Sequence, residues 1–177
     1  MSRLAIVLAV GSVTCLMAQP RYASDGQLIL PSDYREWIFV SSGLGMSYAL
    51  GQNGPPAFTN VFANPSAYRS FLSTGTWPDK TTLVLEVRAS STKGSINQAG
   101  SYQSEVLAVE AEVKDATKFP GNGWAFFAFG KSSTGRQLPR TEDCYSCHLA
   151  HGAVDNTFVQ FYPVLLDVAK QKGTLKP

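Results

Sequence analysis

Of the three Cys and two His in the 177-residue chain, four fall between Cys144 and His151. They read Cys144-Tyr145-Ser146-Cys147-His148, with His151 three positions on. Two thiols one helical turn apart, with an imidazole directly after them, constrain the fold more than any other feature, because what they bind must find room beside that segment. The spacing is the attachment signature of c-type haem: both thiols reach neighbouring vinyl groups on one edge of the ring, and His148 projects beneath it toward the iron. Two other chemistries compete for the same residues. A thioredoxin-like disulfide wants its Cys pair at a helix start after a strand in a βαβ setting. Zinc would have Cys144, Cys147, His148 and His151 as candidate ligands, but structural zinc sites usually draw them from two separated limbs. The residues favour haem attachment.

An electron-transfer cytochrome c usually takes its sixth iron ligand, Met or His, from a distant segment. No Met follows His148, and the only Met beyond the N-terminal segment is Met46, in a Gly-rich stretch. His151 is three residues from His148 and cannot cross to the other side of the ring; it reads as a surface or propionate-side residue. Unless Met46 is recruited, the pattern predicts five-coordinate iron open to a small ligand.

The N-terminus bears on compartment. Met1-Ser2-Arg3 precedes an uncharged run from Leu4 to Ala18, then Gln19-Pro20. This is the order of a secretory signal, and the run is short of the roughly 20 residues that span a bilayer. Cleavage after Ala18 is the expected cut, although Leu16 stands where a small residue is preferred, and an uncleaved anchor is the alternative. The reading is a signal peptide over 1–18, one domain over 19–177, and a periplasmic location. Cleavage would remove Cys15 and leave Cys144 and Cys147 as the only thiols. The net charge is +2, with basic residues scattered along the chain. No nucleic-acid or anionic-lipid footprint follows, so a small or neutral partner is expected.

Hydrophobic periodicity gives the fold class. Ser32 to Trp37 predicts a short capped helix, and Gly43 to Pro56 an irregular stretch. Phe58 to Ala63 reads as a strand, and Asn64-Pro65 opens a helix through Tyr68 and Phe71 that stops at Gly75. Thr82 to Arg88 alternates, with Leu83, Leu85 and Val87 on one face, and so predicts a half-buried strand. Glu105 to Val113 alternates too, and Trp124 to Phe129 is apolar on both faces, as in a central strand. Lys131 to Arg140 reads as a polar loop, and Pro163 opens a last helix that ends at Gly173. Hairpin-joined strands with helices before, between and after them predict a single α+β domain. It is mainly an antiparallel β-sheet with flanking helices and a C-terminal helical haem-attachment segment.

The order of several motifs resembles the cytochrome P-460 family, which includes cytochrome c prime beta. These are Tyr34-Arg35-Glu36-Trp37, Asn64-Pro65 with Tyr68, Thr74-Gly75, Val113-Lys114-Asp115, Gly123-Trp124, Cys144-x-x-Cys147-His148 and Phe158-Val159-Gln160-Phe161-Tyr162-Pro163. The resemblance covers nearly all of the chain after the signal. It implies a mostly antiparallel β fold, a homodimer, a high-spin c haem, and ligands such as nitric oxide or hydroxylamine, with the redox partner unspecified. P-460 enzymes proper carry a lysine cross-linked to the haem edge and oxidise hydroxylamine; the c prime beta branch lacks the cross-link and binds gases. The position matching that lysine is Leu85, while Lys80 belongs to the preceding turn. An acidic residue over the distal face matches Glu110, a tentative acid or base for a bound ligand. Glu112, two residues on, reads as the wet face of the strand. The distal aromatic cap of the c prime beta branch would come from among Phe39, Phe58 and Phe62.

Three functions are thus distinguished. The favoured one is a monohaem c-type protein that binds nitric oxide or a related nitrogen ligand, with Cys144 and Cys147 as tethers and His148 on the iron. The others are a hydroxylamine-oxidising enzyme, disfavoured by Leu85, and an electron carrier with Met46 as sixth ligand.

Overall fold

A computed structural model describes residues 19–47 and 54–176. The expected signal over 1–18 and part of the Gly-rich stretch, including Gly51, lie outside them. Among the described residues no helix is long and apolar enough to cross a membrane.

The strands are β1 (Leu28–Ile29), β2 (Ile38–Leu44), β3 (Phe58–Ala63), β4 (Thr82–Ser91), β5 (Tyr102–Lys114), β6 (Trp124–Gly130) and β7 (Thr134–Gln137). They form one antiparallel sheet in the order β1-β7-β6-β5-β4-β3-β2. Each strand from β2 to β7 lies beside its sequence neighbour, as hairpin connections require. The helices are α1 (Pro65–Thr74), α2 (Asp143–His151) and α3 (Pro163–Lys172). The α+β class expected from the sequence is the architecture observed. Three strands were not expected: β2 follows directly on the predicted short helix, and the two shortest are β7, which lies within the predicted polar loop and makes only two residue pairs with β6, and β1, which is two residues long. Neither is long enough to show an alternating pattern. The predicted irregular stretch also starts late, since β2 runs through Gly43.

Helix α1 begins and ends where Asn64-Pro65 and Gly75 place it, but Asn64 does not cap it. Its Oδ1 accepts the Thr82 backbone N–H at 2.9 Å and its Nδ2 donates to Ser66 Oγ, so the side chain ties the helix start to β4. At the other end Gly75 has φ +76°, and a Cβ there would stand 2.6 Å from the Cβ of Lys172, at the end of α3. That contact presses the two helices together on one face of the sheet, over Leu83 and Trp124, with Phe71, Leu165 and Ala169 between them.

The expectation of a half-buried β4 is corrected by the second face. Leu28, Tyr34 and Trp37 from the N-terminal segment cover Val84, Ala111, Val113 and Phe127 there, so both faces of the central strands are buried. Glu86, on the supposedly wet face, is 2% exposed. Tyr34 Oη and the Arg35 and Arg88 guanidiniums donate to its carboxylate. Burial pushes that carboxyl up, but these donors outweigh it and hold the group below its ordinary value. Burial and the carboxylate push the Tyr34 phenol up to about 12.

Candidate functional site

A cavity of about 370 Å³ lies between the helix-bearing face of the sheet and α2. Its sheet wall follows from register: Leu85 pairs with Val61 on one side and Glu110 on the other, while Leu83 pairs with Glu112, which pairs with Phe126. Directly opposed residues project from the same face, so these six side chains meet in one wall. The facing wall is Cys144, Cys147 and His148 of α2, with Phe158, Phe161 and Tyr162 from the segment after it. An apolar chamber with a few placed polar groups is the usual form of a cofactor or ligand site.

Cys144, Cys147 and His148 stand at i, i+3 and i+4 of α2 and share one helix face. Tyr145 pins that helix to the sheet, its Oη donating to the Leu138 carbonyl at 3.1 Å and accepting the Phe126 N–H at 3.3 Å. His151 ends the helix, exposed to solvent and away from the cavity.

The His148 ring sits between Phe126 and Phe158, with centroids 4.5 and 4.3 Å away. Its Nδ1 lies 2.8 Å from the Asn156 carbonyl, which fixes the proton on Nδ1 and leaves Nε2 with a lone pair for a metal. That carbonyl is aimed by a tight turn. Val154 and Thr157 pair backbone to backbone around Asp155 and Asn156, whose φ angles are +50° and +63°. Two consecutive positive φ values are what a type I′ turn demands, and Asp and Asn tolerate them best after Gly. The Lys114 ammonium pairs with Asp155 and donates to the Trp77 carbonyl, and Trp77 Nε1 donates to Thr157 Oγ1 at 2.8 Å. Gly152 lets this turn close on α2: a Cβ there would meet the Asn156 carbonyl carbon at 2.5 Å and the His148 oxygen at 2.6 Å.

Glu112 corrects the wet-face reading. It is 8% exposed, and its Oε2 lies 3.3 Å from His148 Nδ1. Burial pulls the imidazole down, but Glu112, the Asn156 carbonyl and Glu110 outweigh it and hold His148 above its ordinary value. Glu110 lines the cavity one strand repeat farther along, opposite Leu85; burial pushes its carboxyl up and His148 partly offsets this.

Met46 also lines the cavity, its Sδ lying where a side chain on Gly43 would otherwise stand. Lys80 is in the turn before β4, and its ammonium is paired with Asp115. Phe39 and Phe62 pack edge to face on the opposite face of the sheet, with Tyr34 edge-on against Phe62, and none of Phe39, Phe58 or Phe62 lines the cavity. The aromatic residues on the cavity include Phe126, Phe158, Phe161 and Tyr162, of which Phe126 and Phe158 pack on the His148 ring. Alternation cannot tell which face of β2 or β3 meets a cavity, so nothing local signalled this. Asn156 and Gly152 did leave a trace, in Gly-x-x-Asp-Asn directly after the motif.

The donor set fits a c-type haem. Two free thiols and an oriented imidazole nitrogen converge on one wall of an apolar chamber. Burial, with Glu110 adding to it, pushes the Cys144 thiol up, opposite to the low value of a thioredoxin-like Cys. Among the described residues no three His, Cys, Asp or Glu side chains converge as a self-sufficient metal site, so the four candidate zinc ligands do not come together.

A family model described as Cytochrome P460 matches residues 31–159, from before β2 to the segment that follows the histidine turn. No match was found among the curated proteins. The match spans well over half of the chain and includes the motif, the strands of the cavity wall and the turn behind His148, and on that ground the chain belongs to the cytochrome P460 family of haem cytochromes.

Proposed function

We propose that this chain is an exported, periplasmic, homodimeric monohaem c-type cytochrome of the c prime beta kind, with five-coordinate iron that binds nitric oxide or a related small nitrogen ligand. The observation that carries this reading is the lining of the cavity: among the described residues it includes one imidazole, His148, and no lysine, and Leu85 faces it. Haem held there would supply an iron able to take a small nitrogen ligand.

The chain's own residues do the rest. Cys144 and Cys147 would hold the ring edge through thioether links. Phe126 and Phe158 hold the imidazole plane, and the Asn156 carbonyl keeps its proton on Nδ1. Val61, Leu83 and Leu85 line the chamber and would exclude water from it. Glu110, inclined toward its protonated form by burial, can donate a hydrogen bond to a bound nitrogen ligand or accept a proton from it.

That carboxyl also favours a second reading, hydroxylamine oxidation, which needs a proton acceptor beside the ligand. Met46 on the cavity wall favours a third, an electron carrier with a thioether as sixth ligand. Acid–acetone extraction should leave the haem on the polypeptide, and mass spectrometry of haem peptides should find links to Cys144 and Cys147 only. The reduced protein should give a high-spin c haem spectrum, bind nitric oxide and turn over hydroxylamine poorly. A haem–lysine adduct would transfer the assignment to the hydroxylamine enzyme, and a low-spin spectrum with a sulfur-to-iron band to the electron carrier.

A further inference from the structure

The carboxylate of Glu112 stands behind His148 in a way that the tethering motif does not require. It is buried, and its Oε2 accepts no hydrogen bond from any protein group. The nearest candidate donor is His148 Nδ1 at 3.3 Å, whose proton is directed at the Asn156 carbonyl at 2.8 Å. Burying a carboxylate oxygen without a donor is unfavourable, so its position against this one N–H calls for a reason. Strand geometry supplies the placement: Glu112 pairs with Phe126, the residue whose ring also packs on the imidazole, so one cross-strand pair both clamps the ring and presents a charge to its rear nitrogen.

We propose that Glu112 is a positioning residue that shares the Nδ1 proton of His148 with the Asn156 carbonyl and so makes Nε2 a stronger donor. This rests on His148 being the axial ligand, as the reading above has it. The carbonyl is neutral and held by the Asp155-Asn156 turn, so it sets the ring's orientation. The carboxylate is charged and sets how much electron density the ring carries. An acceptor behind a ligating imidazole raises its basicity, and a negative charge near the iron favours the ferric state. Glu110 differs in kind: it faces the cavity and lies within hydrogen-bond reach of neither ring nitrogen in this structure.

The test compares Glu112→Gln, Glu112→Asp and Glu110→Gln with the parent holoprotein, by resonance Raman of the ferrous iron–histidine stretch and by redox titration. Glu112→Gln should lower the stretch and raise the reduction potential, moving the ferric-to-ferrous equilibrium about tenfold, equivalent to about 59 mV for one electron. Glu112→Asp, which keeps the charge but draws it back by one methylene, should lower the stretch by less. Glu110→Gln, which removes a charge that acts on the ring only at a distance, should lower the stretch by much less than Glu112→Gln. An unchanged stretch in Glu112→Gln, or an equal drop in Glu110→Gln, would overturn the proposal while His148 stayed the ligand. If Glu112→Gln does not fold, the aspartate variant decides, and a stretch identical to the parent's overturns it. A parent protein without any iron–histidine stretch would instead overturn the axial assignment, and this inference with it.

Discussion

Cys144, Cys147 and His148 face one cavity because helical spacing puts i, i+3 and i+4 on one side, a relation that holds wherever the helix is placed. His151 continues the same helix but ends it in solvent. The two histidines should therefore respond differently to replacement. His148→Ala is expected to leave the thioether links intact and to change the iron spectrum completely, whereas His151→Ala should leave the spectrum within error of the parent. Equal spectral damage from both would mean that His151 reaches the iron's surroundings. Leu85 and Glu110 were pointed to by the family resemblance and not by alternation; the structure sets the two directly opposite each other across β4 and β5. Glu112 was not legible in the same way. A carboxylate in an alternating strand reads as solvent-facing unless the covering segment is known, and that segment, α2, is about thirty residues away in the chain.

At the scale of elements, the histidine's orientation depends on a turn, and the turn depends on a glycine. Gly152 has φ −66°, which any residue accepts, so the demand at this position is steric and not conformational. Gly152→Ala would drive a methyl group into the backbone of Asn156, His148 and Thr157. Overpacking of this kind costs about 1–3 kcal/mol, or roughly 2–4 °C of Tm per kcal/mol for a domain of this size. The Asn156 carbonyl must also move, so the ferrous iron–histidine band should broaden or shift. A variant with parent Tm and parent band would show that the turn yields without cost. Helices α1 and α3 were legible to within a residue from Asn-Pro, Pro163 and the glycines that close them. The short strands β1 and β7 were not, because two to four residues carry no periodicity; β7 pairs with β6, and β1 with β7.

For the molecule as a whole, the covered second face of the sheet makes stability depend on pH through Glu86. Its carboxyl is held below its ordinary value by Tyr34, Arg88 and Arg35 against the cost of burial. A group depressed in the folded state contributes stability above its unfolded value, and the contribution disappears as pH falls through the folded one. Glu86→Gln leaves two guanidiniums without their anion and should cost about 3 kcal/mol near neutral pH. The gap between parent and variant in urea unfolding should be widest at pH 7 and close as pH falls below the carboxylate range. A gap independent of pH would mean that the carboxylate acts through packing alone. Glu86 lies on the face away from the cavity, so haem attachment should survive the substitution.

What the sequence determined by itself is local: the Cys144-x-x-Cys147-His148 motif on one helix face, the helix starts and stops, the strand alternation, and from these the α+β class and a haem cytochrome reading. Each is set by chain geometry over a few residues, through helical repeat, strand repeat or the φ preference of Gly, Pro, Asp and Asn. Tertiary structure decided which faces are wet. Tyr34 reaches Glu86 across 52 positions, and Trp77 reaches Thr157 across 80. Such contacts turn an apparently exposed strand face into a second core, keep Phe39, Phe58 and Phe62 off the cavity, and bring Glu112 up behind His148. Burial is a property of what packs on top, and the packing partner is remote in sequence. A pattern with a period of two residues can therefore say that a strand has two faces, but not which of them borders a cavity.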